Sequence, residues 1–348
     1  MAQDSSSHWF RWRKVRIFLI VCLLGLLLSV FFVLWEGIPM AVSVEALPPL
    51  NEKQKKLAKE LEGYVKHLCH VIGERNLTQA PEALEKAADY IEKQFASFGY
   101  QPQRQTFVAR GKNCHNLIAS GPAPEQKTSS PPIFVIGAHY DSVVGTVGAN
   151  DNASGTAALL ALAKRLAKFS SEHQLRFVAF VNEEPPHFQT PEMGSWVYAK
   201  ACKQKKENIV AMFSLETMGY YSQKEGSQHY PHPLFKLFYP DRGNFIGFVG
   251  NFWSRRLVKS SLRLFQKYAK FPAQGAALPS FIPGIGWSDH WAFWKCGYNA
   301  VMITDTAPFR YLYYHTAEDS PDKLDYASLA RVVDGLEQVI QALAKKKK

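Results

Sequence analysis

The sequence predicts an α/β fold: a three-layer sandwich with a central, mostly parallel or mixed sheet between helices, preceded by one N-terminal transmembrane helix. Three observations predict it. Apolar runs of strand length recur at Ile133 to Ala138, Leu175 to Val181, Ile209 to Leu215 and Ala300 to Ile303. They are apolar throughout rather than alternating, as in a sheet covered on both faces. Amphipathic helical stretches alternate with these runs, the pattern of a layered α/β domain. Finally, Ile17 to Trp35 is an apolar run of 19 residues behind a basic flank.

As a helix that N-terminal run spans about 28 Å, enough for a hydrocarbon core. Trp12 and Trp35 suit its two interfaces, and Arg11, Arg13, Lys14 and Arg16 put residues 1–16 in the cytoplasm by the positive-inside rule. The remainder is then extracytoplasmic, periplasmic in a Gram-negative bacterium. Ala41-Val42-Ser43 offers a cleaved signal peptide as the alternative, but the run is long for one, which favours an uncleaved anchor. Net charge is +11, yet those four basic residues and Lys345 to Lys348 carry most of it. No basic stripe with interleaved aromatics appears, so nucleic acid is not an expected partner. Cys69, Cys114, Cys202 and Cys296 allow two disulfides in three pairings, or four buried thiols.

Residues 36–50 form a Pro-containing linker, and 51–348 the domain. Asn51 to Ile72 is a helix with Leu57, Leu61, Val65 and Leu68 on one face. A second helix begins at Pro81, a good first-turn residue, and ends before Gly99. The first strands lie around Phe107 and at Asn116 to Ala119; Ser120 to Pro132 is a solvated turn. Helices follow at Asn152 to Phe169 and Glu192 to Lys203. Ser222 to Gly243 reads as an insertion loop, Asn244 to Gly250 as a strand and Trp253 to Lys270 as a basic amphipathic helix. Phe271 to Gly286 is a second long loop. Together the two loops are expected to wall a side-chain pocket, with Trp253, Phe281 and Trp287 as its candidates. Helices at Ser288 to Trp294 and Asp325 to Ala344 complete the chain.

The chemistry sits where the apolar runs stop. The first ends at His139, with Asp141 two residues on and Asp151 before a helix. The second ends at Asn182, then Glu183 and Glu184; the third at Glu216. The fourth leads to the loop of Tyr314 and His315. Open α/β sheets collect their functional groups beyond the carboxyl ends of the strands. Each residue has a plain structural reading: a buried core histidine, a helix cap for Asp151, a solvated turn for Glu183-Glu184, a strand-end acid, a loop histidine. Their joint placement favours a metal site. Asp141 can hold one imidazole nitrogen of His139 and aim the other. Adjacent glutamates give one carboxylate to a metal and leave the next beside it as a base.

The segments GAHYDS, NDNASG, VNEE with the later MGS, SLETMGY, SDHWAFWKCGYNA and YHTAEDSPDKLDY resemble, in order, the M28 zinc metallopeptidases, the aminopeptidase-like group with co-catalytic zinc. The resemblance runs from about Leu84 to Ile340 and is strongest to membrane-anchored bacterial members. It implies that His139 binds one zinc, Asp151 bridges two, and Glu184 and His315 bind the second. It implies Glu183 as general base, Asp141 as the partner of His139, Tyr314 as a donor to the oxyanion, and a supporting place for Asp289. Glu216 stands where the family usually has Asp. The implied activity is hydrolysis of peptide substrates. A single-zinc glutaminyl-cyclase-like acyltransferase and a non-catalytic ectodomain are the rivals.

Overall fold

The computed structural model describes residues 12–25, 47–122, 124 and 130–345. Residues 12–25 form an exposed helix. Among the described residues no helix is long and apolar enough to cross a membrane. The rest of the expected anchor, 26–35, and residues 36–46 of the linker lie outside the described residues.

Eight strands form one sheet in the order β1-β2-β4-β3-β5-β8-β6-β7. They are β1 (Gln103–Ala109), β2 (Lys112–Ser120), β3 (Ile133–His139), β4 (Gln174–Phe180), β5 (Ile209–Glu216), β6 (Ile246–Gly250), β7 (Ala273–Ala277) and β8 (Ala300–Thr304). The four apolar runs are the parallel centre, β4-β3-β5-β8. β2 and β6 flank it antiparallel. The sheet is therefore mixed around a parallel middle, and β3 is buried along its whole length.

Side chains alternate across β3, so one strand serves two cores. Phe134, Ile136 and Ala138 face a core built with α1 (Glu52–Lys66), α2 (Pro81–Ser97), α3 (Gly155–Leu166), α5 (Arg255–Ala269) and α7 (Tyr326–Ala344). Ile133 and Val135 face the second layer, α4 (Gly194–Gln204) and α6 (His290–Lys295), through Tyr198 and Phe293. That second layer stops short of β6 and β7. There the sheet is covered by loops over Val249, Leu278, Ile285 and Met302.

Local chemistry sets the helix ends. The Asn51 side chain accepts from Gln54 N at 2.9 Å, a capping box that starts α1. His67–Ile72 continues it as a π-helical turn. Two expectations need correction. The Phe271 to Gly286 loop contains β7, paired in parallel with β6. Its sequence, AQGAA, has no β-branched or aromatic residue, so propensity gave no sign of it. The helix expected from Asn152 is α-helical only from Gly155. Asn152 Oδ1 accepts from Gly155 N at 3.0 Å, which is the cap role sequence offered to Asp151. Cys69, Cys114, Cys202 and Cys296 are buried free thiols.

Candidate metal centre

Strand register gathers the donors. His139 pairs level with Phe180, and the Gly137–Ser214 pair carries His139 alongside Glu216. Asn182 then adopts φ 59° just past β4. This left-handed conformation, which Asn tolerates better than most residues, turns Glu183 and Glu184 over the strand ends. Thr217 and His315 also have positive φ, at 44° and 58°. Such backbone is costly and concentrates at functional sites.

His139 Nε2 lies 3.2 Å from Asp151 Oδ1 and 3.1 Å from Glu216 Oε2. His315 Nε2 lies 3.0 Å from Asp151 Oδ2 and 3.3 Å from Glu184 Oε2. Asp151 thus presents one carboxylate oxygen to each histidine. His139, Asp151 and Glu216 form one donor group; Asp151, Glu184 and His315 form another; His139, Glu183 and Glu184 form a third, each with donor atoms within 4.8 Å. Glu183 Oε2 stands farther back, 3.9 Å from His139 Nε2. All are buried except His315, whose side chain is 31% exposed and marks the open side.

These residues fit a divalent cation better than they fit one another. His139 Nε2, Asp151 Oδ1 and Glu184 Oε1 are buried without hydrogen-bond partners, an arrangement that is expensive unless something binds there. Burial pushes Glu184 up to about 8, with the Asp151 charge adding to it. Burial also raises Glu183 and Glu216. Asp151 goes the other way: burial alone would raise it, but the His139 and His315 imidazoles beside its two oxygens outweigh that and hold it below the usual carboxylate range. Nitrogen and carboxylate donors in this mixture suit zinc.

Glu216 reaches the cluster despite its extra methylene. Ser288 Oγ donates to its Oε2 at 2.7 Å, and Ser288 is itself held by Ser214 Oγ at 2.9 Å. Asp141 does more than expected. Its carboxylate is 3.5 Å from His139 Nδ1, and it also accepts from Glu183 N and Glu184 N, both at 3.1 Å. Tyr314 stacks on His315 with ring centroids 3.9 Å apart. Asp289 is fully buried and close enough to feel the charges of His139 and Glu216, but it belongs to none of the donor groups.

Sequence reasoning missed the parts that hold the loop of Asp151. Buried Arg75 donates to the carbonyls of Tyr140 at 2.9 Å, Val147 at 2.7 Å and Gly148 at 3.3 Å. Asp319 accepts from Asn150 N at 2.8 Å and Asp151 N at 3.1 Å, tying this loop to the His315 loop. An arginine before a helix carries no sequence sign of such a role. Gly148 has φ 54°, and a Cβ there would meet the Asp151 carbonyl oxygen at 2.1 Å. Gly148→Ala is expected to destabilise the fold by about 1–3 kcal/mol, the scale of local backbone strain. Urea denaturation measures this, and an unchanged midpoint would show that the loop yields.

A cleft opens beside Glu216 and Tyr314, between the two loops predicted to wall a pocket. Trp287 lines it as expected. Trp253 and Phe281 do not line it; they are 78% and 85% exposed.

His290 carries a pH dependence. Its Nε2 donates to Ile285 O at 2.8 Å, Nδ1 has no partner, and burial pulls its pKa down to about 4. The unfolded chain takes up that proton below about 6.5, the folded one only near 4, so stability is lost as pH falls through that window. The loss is about 3 kcal/mol. Asp289, pushed up to about 7 by burial, works in the opposite sense. The clean measurement is therefore the difference in unfolding free energy between wild type and His290→Phe. Wild type is expected to lose ground to the variant between pH 7 and pH 4; a constant difference would count against the assignment.

Helices on both faces of a mixed sheet, with acids and imidazoles gathered at the ends of its parallel strands, define an α/β protein with a candidate metal centre. The profile of peptidase family M28 matches residues 116–340. YfbL, an uncharacterised protein of Escherichia coli K12, is 37% identical over 305 residues, covering 84% of this chain and 90% of that one. Aminopeptidase YwaD of Bacillus subtilis is 27% identical over 225 residues, covering 63% of this chain and 42% of its own. A solved zinc aminopeptidase of Bacillus subtilis shares the fold with a TM-score of 0.65 at 17% identity, over 84% of this chain and 96% of the other. Glutaminyl cyclases share the fold as well. The chain belongs to peptidase family M28. It is a metallopeptidase, and its family implies zinc.

Proposed function

We propose that the protein is a zinc-dependent exopeptidase of aminopeptidase type that works with two ions. His139, Asp151 and Glu216 hold one; Asp151, Glu184 and His315 hold the other. The observation that carries this reading is the orientation of Asp151, with one oxygen toward each histidine at 3.2 and 3.0 Å. Bound zinc supplies an acidified water and an electrophile for the peptide carbonyl. Glu183 removes the proton of the attacking water and delivers it to the leaving amine as the C–N bond breaks. Asp141 keeps Glu183 in place through its backbone N–H. Tyr314, on the cleft side, donates its hydroxyl to the oxygen that gains negative charge. The N-terminal run Ile17 to Trp35 anchors the chain, with the domain outside the cytoplasm; protease accessibility of intact cells and spheroplasts tests that arrangement.

Incubating the zinc-loaded protein with a peptide library and reading products by mass tests the activity. Stepwise loss of N-terminal residues is expected. Loss of ammonia from N-terminal Gln peptides without shortening would instead mean a cyclase, and loss from the other end a carboxypeptidase. Fully active protein with clearly fewer than two zinc ions per chain would refute the two-ion version.

A further inference from the structure

We propose that the cleft beside Glu216 is a side-chain subsite for an aromatic residue with a hydrogen-bond donor at its tip, tyrosine or tryptophan, and that Gln274 reads that tip. The inference deepens the aminopeptidase reading and rests on it. The floor is one face of β6, β7 and β8. Gly247 lies between Gln274 on one side and Thr304 on the other. Having no side chain, it keeps the floor low, and a Cβ there would crowd Thr304 O at 3.2 Å. Ala276, two residues along β7, is small too.

The walls are aromatic: Tyr230, Phe235, Trp287 and Phe309. Ring edges and faces of this kind favour an aromatic guest. Glu216, at the end nearest the metal centre, is the only charged side chain of the lining among the described residues. A carboxylate side chain would therefore be buried there unpaired, and a lysine or arginine would meet only Glu216, which the metal centre engages.

Most polar groups of the lining are committed elsewhere; apart from the half-exposed Trp287 and the Tyr314 hydroxyl at the metal end, the one that is buried without a partner is Gln274. Tyr230 donates to Pro240 O at 2.6 Å and Tyr239 to Gly275 O at 2.9 Å. Gln228 is engaged by His229 O, Thr306 and Arg310. Thr304 Oγ1 is taken by Thr217 and Thr306 N. Gln274 is 6% exposed, and its Oε1 has no partner. A phenol O–H or indole N–H arriving in the cleft satisfies it. A phenylalanine or leucine side chain leaves that buried oxygen without a partner.

The test compares kcat/KM of the zinc-loaded protein on dipeptide amides with N-terminal Tyr, Trp, Phe, Leu, Ala and Lys. Tyr and Trp are expected to exceed Phe by about tenfold or more, because a site with a buried polar group rejects the guest that leaves it unpaired. Lys should be cleaved hardly at all. Gln274→Met is expected to bring the Tyr-over-Phe ratio of kcat/KM down to about one. Ala276→Phe should lower the rates on the aromatic substrates more than the rate on Ala. Equal Tyr and Phe rates in wild type, or a ratio untouched by Gln274→Met in protein that melts normally, would overturn the proposal. If no amide is hydrolysed, the peptidase reading fails, and an NMR titration of wild type with p-cresol and toluene decides the subsite. Preference for p-cresol supports it; equal affinity overturns it.

Discussion

Replacing Glu183 with Gln is expected to lower kcat by about 10³-fold or more while leaving zinc content and fold intact, since general acid–base catalysis supplies about 10²–10⁴-fold. The structure makes this a sharp comparison. Glu183 belongs to one donor group with His139 and Glu184, so it has two conceivable roles, ligand or base. Its oxygen stands 3.9 Å from His139 Nε2, whereas Asp151 and Glu216 approach to 3.2 and 3.1 Å. A base that leaves the metal in place loses turnover only. A ligand loses metal as well. Burial and the charges of Glu216 and Glu184 favour the neutral form of Glu183 in the absence of metal, and the amide matches that form. The metal-free variant is therefore expected to melt no lower than wild type. Retained peptidase activity in Glu183→Gln or Glu183→Ala would remove the assigned base; lost zinc would reassign it as a ligand.

Asp151→Ala is expected to empty the whole centre rather than half of it. Both histidines face this carboxylate, through different oxygens. Zinc added at about a thousandfold over its dissociation constant stabilises a folded protein by about 4 kcal/mol. Wild type should show a rise in melting temperature of that origin, reversed by a chelator, and Asp151→Ala should show almost none. Activity should vanish with it. Were Asp151 only a helix cap, the same substitution would cost about 1 kcal/mol and leave zinc binding alone. The first free N–H of that helix, Gly155 N, is in fact taken by the Asn152 side chain, which also accepts from Thr217 N. Calorimetric zinc titration of the variant separates the two; normal binding would leave Asp151 a structural residue.

The central strands and the residues at their ends could be read from the chain because buried parallel strands demand unbroken apolar runs. A polar residue at the end of such a run stands out. Elements without that contrast were silent. β7 has only small residues and Gln274, yet it supplies part of the floor of the cleft. Arg75 and Asp319 act through backbone groups far away in sequence, which no local pattern encodes. Ser288 was passed over in favour of its neighbour Asp289, but it is Ser288 that meets Glu216. Glu216 carries one methylene more than the Asp usual in the family, and the Ser288 hydroxyl beside it keeps its oxygen within reach of His139.

Sequence alone determined which side chains are available for metal chemistry and that they sit where buried strands meet solvent, because side-chain type and apolar periodicity are local properties. Tertiary structure decided how they are shared: Asp151 between two histidines, Glu183 set back from both, Asp141 under the backbone of two glutamates. Those relations depend on strand order, register and three left-handed turns, which are fixed by contacts between segments distant in the chain. The cleft is of the same kind. Its floor exists because the second helical layer ends before β6, and its one uncommitted amide is known only once every neighbouring donor and acceptor has found a partner.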